Sequence, residues 1–218
     1  MIKRMILILG AVLAVLLAAG CGTSQSAAPG DGSSGIQPAA ANTSQPASGK
    51  SDGNAGSNGK RILVVYFSWG GNTASMAEYV QQQTGGDLLA LQPAVPYPQD
   101  YEECTKVARA ERDEGRLPEI ANLPADLSGY DTILLGYPIW WHTAPMIIGT
   151  FLQHYDLTGV DVYPFVQSAA MEQVHFDNSM EFVRKYSRGA VVHEGLYAKH
   201  GNKAKIAQWL KEINVSLS

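Results

Sequence analysis

No lysine or arginine occurs between Arg61 and Lys106. An anion held by that stretch must therefore be met by amides and hydroxyls rather than by a positive side chain. Gly-x-x-x-x-Gly-Lys-Ser/Thr is absent from the chain, and no Gly-x-Gly-x-x-Gly follows any of its apolar strand-like runs. The first absence argues against a nucleoside triphosphate and the second against a dinucleotide. Cysteine is scarce, with Cys21 and Cys104 the only two, so no disulfide framework holds the fold. His142, His154, His175, His193 and His200 make no ligand spacing. His193-Glu194 begins like a zinc-protease pattern, but Tyr197 stands where the second histidine is required, and no metal is expected. Long apolar runs are also few: Met5 to Ala19 is apolar but short for spanning a bilayer.

What is present reads as a phosphate cradle, with a plain strand-to-helix turn capped by Thr73 as the alternative. The buried-type run Ile62-Leu63-Val64-Val65-Tyr66-Phe67 stops at Ser68-Trp69-Gly70-Gly71-Asn72-Thr73 and restarts as the helical stretch Ala74 to Val80. A helix so placed points its unsatisfied N–H groups, and the positive end of its dipole, at whatever fills the turn. Gly70 and Gly71 let the backbone come close to an oxygen, while Ser68, Asn72 and Thr73 carry side-chain donors. With no cation nearby, a single terminal monophosphate fits best. A nucleophile elbow at Ser68 is argued against by Tyr66, which stands where that turn needs glycine.

A second apolar run, Thr132 to Gly136, leads into Tyr137-Pro138-Ile139-Trp140-Trp141-His142-Thr143-Ala144-Pro145. Adjacent tryptophans in a proline-bracketed loop, with Trp69 in the first loop, suggest a flat heteroaromatic attached to the phosphate. Packing under the next helix accounts equally well for one tryptophan of the pair.

The two motifs, Tyr66 to Thr73 and Gly136 to Trp141, together resemble the flavodoxin family, in its branch with a Tyr-Pro-Ile-Trp-Trp loop. The likeness runs from about residue 61 to the end and takes in Tyr97-Pro98 and the late strand Val191 to Leu196. The resemblance implies bound FMN. Its phosphate would lie on Ser68, Gly70, Gly71, Asn72 and Thr73, and its ring beside Trp69 and the loop Pro138, Ile139, Trp140, Trp141 and His142. A third family loop, glycine-rich in relatives, reads here Gln167-Ser168-Ala169-Ala170-Met171-Glu172. Ser168 and Ala169 fall at the ring edge, where alanines restrict the positive φ angles such loops use. Glu172 facing the ring would push its potential down, whereas a solvated Glu172 would not. His142 stands where relatives commonly carry a small residue, and reads first as a solvent-facing loop histidine.

The amino terminus carries an address. Lys3 and Arg4, the apolar stretch and Leu17-Ala18-Ala19-Gly20-Cys21 resemble a bacterial lipoprotein signal, residues 1–20, with Cys21 lipid-modified. The linker from Cys21 to residue 60 is Gly, Ser, Ala, Asn, Pro and Gln with almost no large apolar side chain. It cannot bury enough to fold, and its reach as a coil is roughly 35 Å. Localisation in the bacterial cell envelope, on the extracytoplasmic side of a membrane, follows from that resemblance. With Cys21 modified, Cys104 has no disulfide partner and reads as buried filler.

Residues 61–218 form one domain's worth of chain. The charges before them are Lys3, Arg4, Lys50 and Lys60 against Asp31 and Asp52, so the chain's net −4 becomes −6 in this part. Nucleic acid is a poor partner for it, and a basic redox protein a plausible one. Strands at 61–67, 87–92, 131–136, 161–167 and 190–196 alternate with helices at 73–84, 99–114, 145–155, 178–187 and 202–213. Asn178 with Glu181 reads as a helix start, and Leu117 to Tyr130 as a surface excursion. The pattern is α/β, a parallel sheet with helices on both faces, and the resemblance implies a flavodoxin-like three-layer sandwich of five strands in the order 2-1-3-4-5. The function so implied is electron transfer by a tethered FMN protein, with a redox protein or a small quinone-like acceptor as partner. A quinone or small-aromatic reductase, and a binding module without flavin, are the alternatives.

Overall fold

The computed structural model describes residues 61–215. The signal segment, Cys21 and the linker lie outside the described residues, as do 216–218. The elements are β1 (Ile62–Tyr66), α1 (Asn72–Thr84), β2 (Asp87–Ala90), α2 (Tyr101–Glu114), β3 (Thr132–Pro138), α3 (Met146–His154), β4 (Asp161–Gln167), α4 (Gln173–Tyr186), β5 (Val191–Val192), β6 (Leu196–Tyr197) and α5 (Lys203–Glu212). The strands pair in parallel in the order β2-β1-β3-β4-β5, with β6 also on β4. This is the expected 2-1-3-4-5 arrangement.

Both faces of the central strands are buried, so their sequences are continuously apolar rather than alternating. Ile62, Val64 and Leu134 pack toward Met76 and Val80 of α1 and Ile206 and Leu210 of α5. Leu63, Val65, Ile133 and Leu135 point the other way, into a core with Ile147, Phe151 and Val183 from α3 and α4. The pleat thus divides one apolar run between two cores. Gly136 in β3 is required by closeness: a Cβ there would lie 2.3 Å from the Phe165 ring.

Two expectations are corrected. Helix α4 begins at Gln173, not at Asn178. Phe176, Met180 and Val183 all pack inward at i, i+4 and i+7, so the apolar stripe begins before Asn178. The last strand is two pieces, β5 and β6. Val162 O accepts from His193 N and Val166 O from Ala198 N, so Pro164 between them faces the same neighbour with no N–H to donate. The register accordingly advances by a residue, from Val162 opposite Val192 to Phe165 opposite Leu196.

The segment after α2 does more than run over the surface. Ile120 forms an antiparallel bridge with Pro93, and the Asn122 side chain bonds both Gln92 N and Ala90 O. It therefore lines the chain beyond β2. Helix α2 is capped by Asp100, whose side chain accepts from Glu103 N at 3.0 Å, and it closes on a left-handed Gly115.

Candidate functional site

A cavity of about 610 Å³ opens where β1, β3 and β4 end at their carboxyl sides. That is the usual ligand position in a parallel sheet, and the volume is within the range of small-molecule sites. Ser68, Trp69, Gly70, Asn72, Thr73, Pro138, Ile139, Trp140, Trp141, His142, Ser168 and Ala169 all line it. Gly71 lies instead on a neighbouring hollow behind the loop.

The first loop is built around Gly71, whose φ of 84° places it in the left-handed region before α1. Its N–H donates to Ser68 Oγ at 3.1 Å, and its carbonyl accepts from Ser75 N at 3.0 Å. Among the described residues, no side chain caps α1 and the N–H groups of Asn72, Thr73 and Ala74 have no acceptor. A Cβ on Gly70 would meet no protein atom within 4 Å, so its space belongs to the cavity. Among the described residues, no lysine or arginine lies on the wall. The donor set is one of unpaired amides and hydroxyls at the positive end of a helix, which suits an anion of small size.

The second loop turns sharply. Trp140 N and Thr143 O, and Thr143 N and Trp140 O, pair at 2.9 and 3.1 Å around Trp141 (φ 46°) and His142 (φ 67°). Two left-handed residues between such a pair are the pattern of a type I′ turn, which ordinarily uses glycine or asparagine. Outside contacts hold the turn in place. The Trp141 indole donates to Thr105 O at 2.9 Å, Arg109 and Arg112 lie over its ring at 5.2 and 5.3 Å, and Arg112 donates to Trp141 O at 3.3 Å. Trp140 is the core-packing member of the pair, edge-on to Phe67 at 5.2 Å and to Tyr97 at 5.1 Å. Trp69 is fixed by its indole bond to Pro98 O at 2.9 Å and tilts against Tyr101.

In the third loop, the left-handed residue is Met171 (φ 53°), so neither alanine carries that strain. Glu172 is not on the cavity wall; it caps α4 in extended geometry and lies 3.5 Å from His175.

Five wall residues were not foreseen: Tyr101, Cys104, Thr105 and Ala108 from α2, and Gln167 from β4. The α2 residues fall at i, i+3, i+4 and i+7, a single helix face, but that spacing alone does not say what the face meets. Gln167 Nε2 reaches Thr73 Oγ1 at 3.4 Å and ties the third loop's root to the first. Behind the wall, Tyr97 donates to Glu111 Oε2 at 2.7 Å, and Arg116 lies 3.5 Å from the other carboxylate oxygen. Burial holds the Glu111 carboxyl above the usual carboxylate range, against the lowering effect of Tyr97 and Arg116. Burial, with Glu111 adding to it, also raises the Cys104 thiol. Among the described residues, no cluster of three His, Cys, Asp or Glu is arranged to hold a metal ion.

Comparison with known proteins accords with this geometry. A flavoprotein candidate from Bacteroides eggerthii is 33% identical, covering 72% of this chain and 99% of that one, with a TM-score of 0.64. A second candidate, from Bacteroides uniformis, is 28% identical over 70% of this chain and 98% of that one, with a TM-score of 0.60. A flavoprotein of Lactobacillus acidophilus, solved in complex with FMN, shares the fold at 23% identity, over 69% and 98% of the two chains, with a TM-score of 0.56. No curated protein matches. The flavodoxin family model matches residues 61–213, most of the chain, and the chain belongs to the flavodoxin family.

Proposed function

We propose that the cavity binds FMN and that the protein transfers electrons from a tethered position outside the cytoplasm. The observation that carries the cofactor reading is the pair of amides at Asn72 and Thr73, without an acceptor among the described residues, on the wall of a cavity that has no Lys or Arg among its described lining and is bordered by aromatics. Those amides would hold the phosphate with Ser68 and Thr73, and Trp69, Tyr101 and Trp141 would border the ring. Bound FMN supplies the redox chemistry; the chain supplies orientation, shielding and tuning. The membership in the flavodoxin family and the FMN complex of the Lactobacillus acidophilus protein support the same reading.

The tether rests on the sequence alone: Lys3-Arg4, the apolar stretch and Leu17 to Cys21, followed by the Gly/Ser/Ala/Pro-rich segment. On this reading a lipid on Cys21 would be the attachment, and no helix of the described residues is long and apolar enough to cross a membrane. The formal −6 beyond residue 60 favours a redox protein with a basic docking face.

The full chain, incubated with FMN and freed of excess, is expected to keep a flavin absorption band. Thr73→Val removes a hydroxyl and should weaken binding by about tenfold or more. A colourless protein would end the FMN reading. Expressed in bacteria, Cys21→Ala should move the protein from the membrane fraction to the soluble one; unchanged partition would end the tether.

A further inference from the structure

We infer that His175 is a positioning residue that clasps the second ligand loop to the third across the cavity mouth, and so governs how long the bound cofactor stays. The inference rests on the FMN reading of the cavity. Its basis is a contact between elements far apart in sequence. The imidazoles of His142 and His175 stack with centroids 4.1 Å apart and planes within 11°. His142 lies on the cavity wall, in the left-handed turn after β3, while His175 is in the first turn of α4, directly after the third loop. Asn178 Nδ2, one turn further along α4, donates to His142 O at 3.3 Å.

The turn needs such support. Left-handed Trp141 and His142 are strained for side chains with a Cβ, so contacts from outside the turn must hold them. On one side Trp141 is held by α2, through Thr105, Arg109 and Arg112. On the other side His142 is held by α4, through His175 and Asn178. Ser168 and Ala169 border the same cavity, so loosening the stack frees both loops that a ligand must pass.

The test uses the full chain loaded with FMN and reads cofactor release by the recovery of free-flavin fluorescence on dilution. His175→Ala should speed release by about threefold to tenfold, the worth of an aromatic pair. His175→Phe keeps a stacking ring and should stay within about 1.5-fold of the parent at neutral pH. Unchanged release in His175→Ala, or no rescue by phenylalanine, would overturn the clasp. A second readout needs no cofactor: in the NMR spectrum of the apo full chain, the His142 ring protons should shift on His175→Ala, through the lost ring current. If they do not, the stack is absent and the clasp is refuted. If they do while no FMN binds at all, the cofactor reading fails and the stack stands alone.

Discussion

Replacing Tyr97 by phenylalanine removes one oxygen from a buried contact and leaves its packing intact. The ring can still meet Phe67 at 5.6 Å and Trp140 at 5.1 Å, so no large cavity forms. What disappears is the 2.7 Å hydrogen bond to Glu111, a residue only 3% exposed. The remaining partner, Arg116, is 3.5 Å away on a half-exposed side chain and does not reach the vacated oxygen. A hydrogen bond to a charged group is worth about 1.5–3 kcal/mol, and one between neutral groups about 0.5–1.5 kcal/mol. With a urea m-value of about 2 kcal/mol/M, the Tyr97→Phe midpoint should fall by roughly 1 M at neutral pH. The sign with pH follows from burial, which raises the folded-state pKa of Glu111 above its unfolded value. Its contribution to stability is then fully present below the unfolded value and is lost as pH rises through the folded one. Below that window the Tyr97 bond is the weaker neutral kind, and above it the hydroxyl is the main relief of a buried charge. The Tyr97→Phe penalty should therefore be larger at pH 7.5 than at pH 4. Urea melts at the two pH values decide it: an equal penalty, or one under about 0.5 kcal/mol at both, refutes the reasoning.

Gly136→Ala drives a Cβ to 2.3 Å from a Phe165 ring that is fully buried, and should cost about 1–3 kcal/mol or more in urea melts; an unchanged midpoint would contradict the packing. Gly71→Ala meets nothing within 4 Å, so its cost is purely conformational, about 1–2 kcal/mol, and Gly71→Asn should cost less; equal losses would argue against the left-handed geometry. Removing both guanidinium groups over Trp141 by Arg109→Ala and Arg112→Ala should weaken FMN binding by roughly threefold to tenfold in an equilibrium titration, and unaltered affinity would show the turn holds without them.

The architecture was legible because each clue was local. Runs such as Ile62 to Phe67 are apolar on every residue, which only a strand covered on both sides tolerates, and the spacing between runs leaves room for one helix each. The first two loops that wall the cavity were legible for the same reason, as each is a contiguous segment of unusual composition. What stayed hidden depends on residues brought together from a distance. The inward stripe of α4 starts at Phe176, and its partners are not neighbours in sequence, so the Asn178 capping signal misled. The break between β5 and β6 needs Pro164 on the adjacent strand to be oriented toward it. The wall contributed by Tyr101, Thr105 and Ala108 is an ordinary helix face until the fold sets it against Trp141. Gly71 shapes the turn with its amide on Ser68, a role its place in the motif does not distinguish from cradling an anion. From the sequence His142 reads as a loop histidine, because its partner His175 lies in the first turn of a helix whose capping signal, Asn178, falls five residues after its start at Gln173.

An NMR titration of the apo full chain with FMN, following backbone amides, bears most directly on the central claim that neutral groups at the start of α1 receive a phosphate. Saturation near one equivalent is predicted, with the largest amide shifts at Asn72, Thr73 and Ala74 and accompanying shifts of the Trp69 and Trp141 indole N–H signals. Amides in that turn that stay still while FMN is added to excess would contradict it.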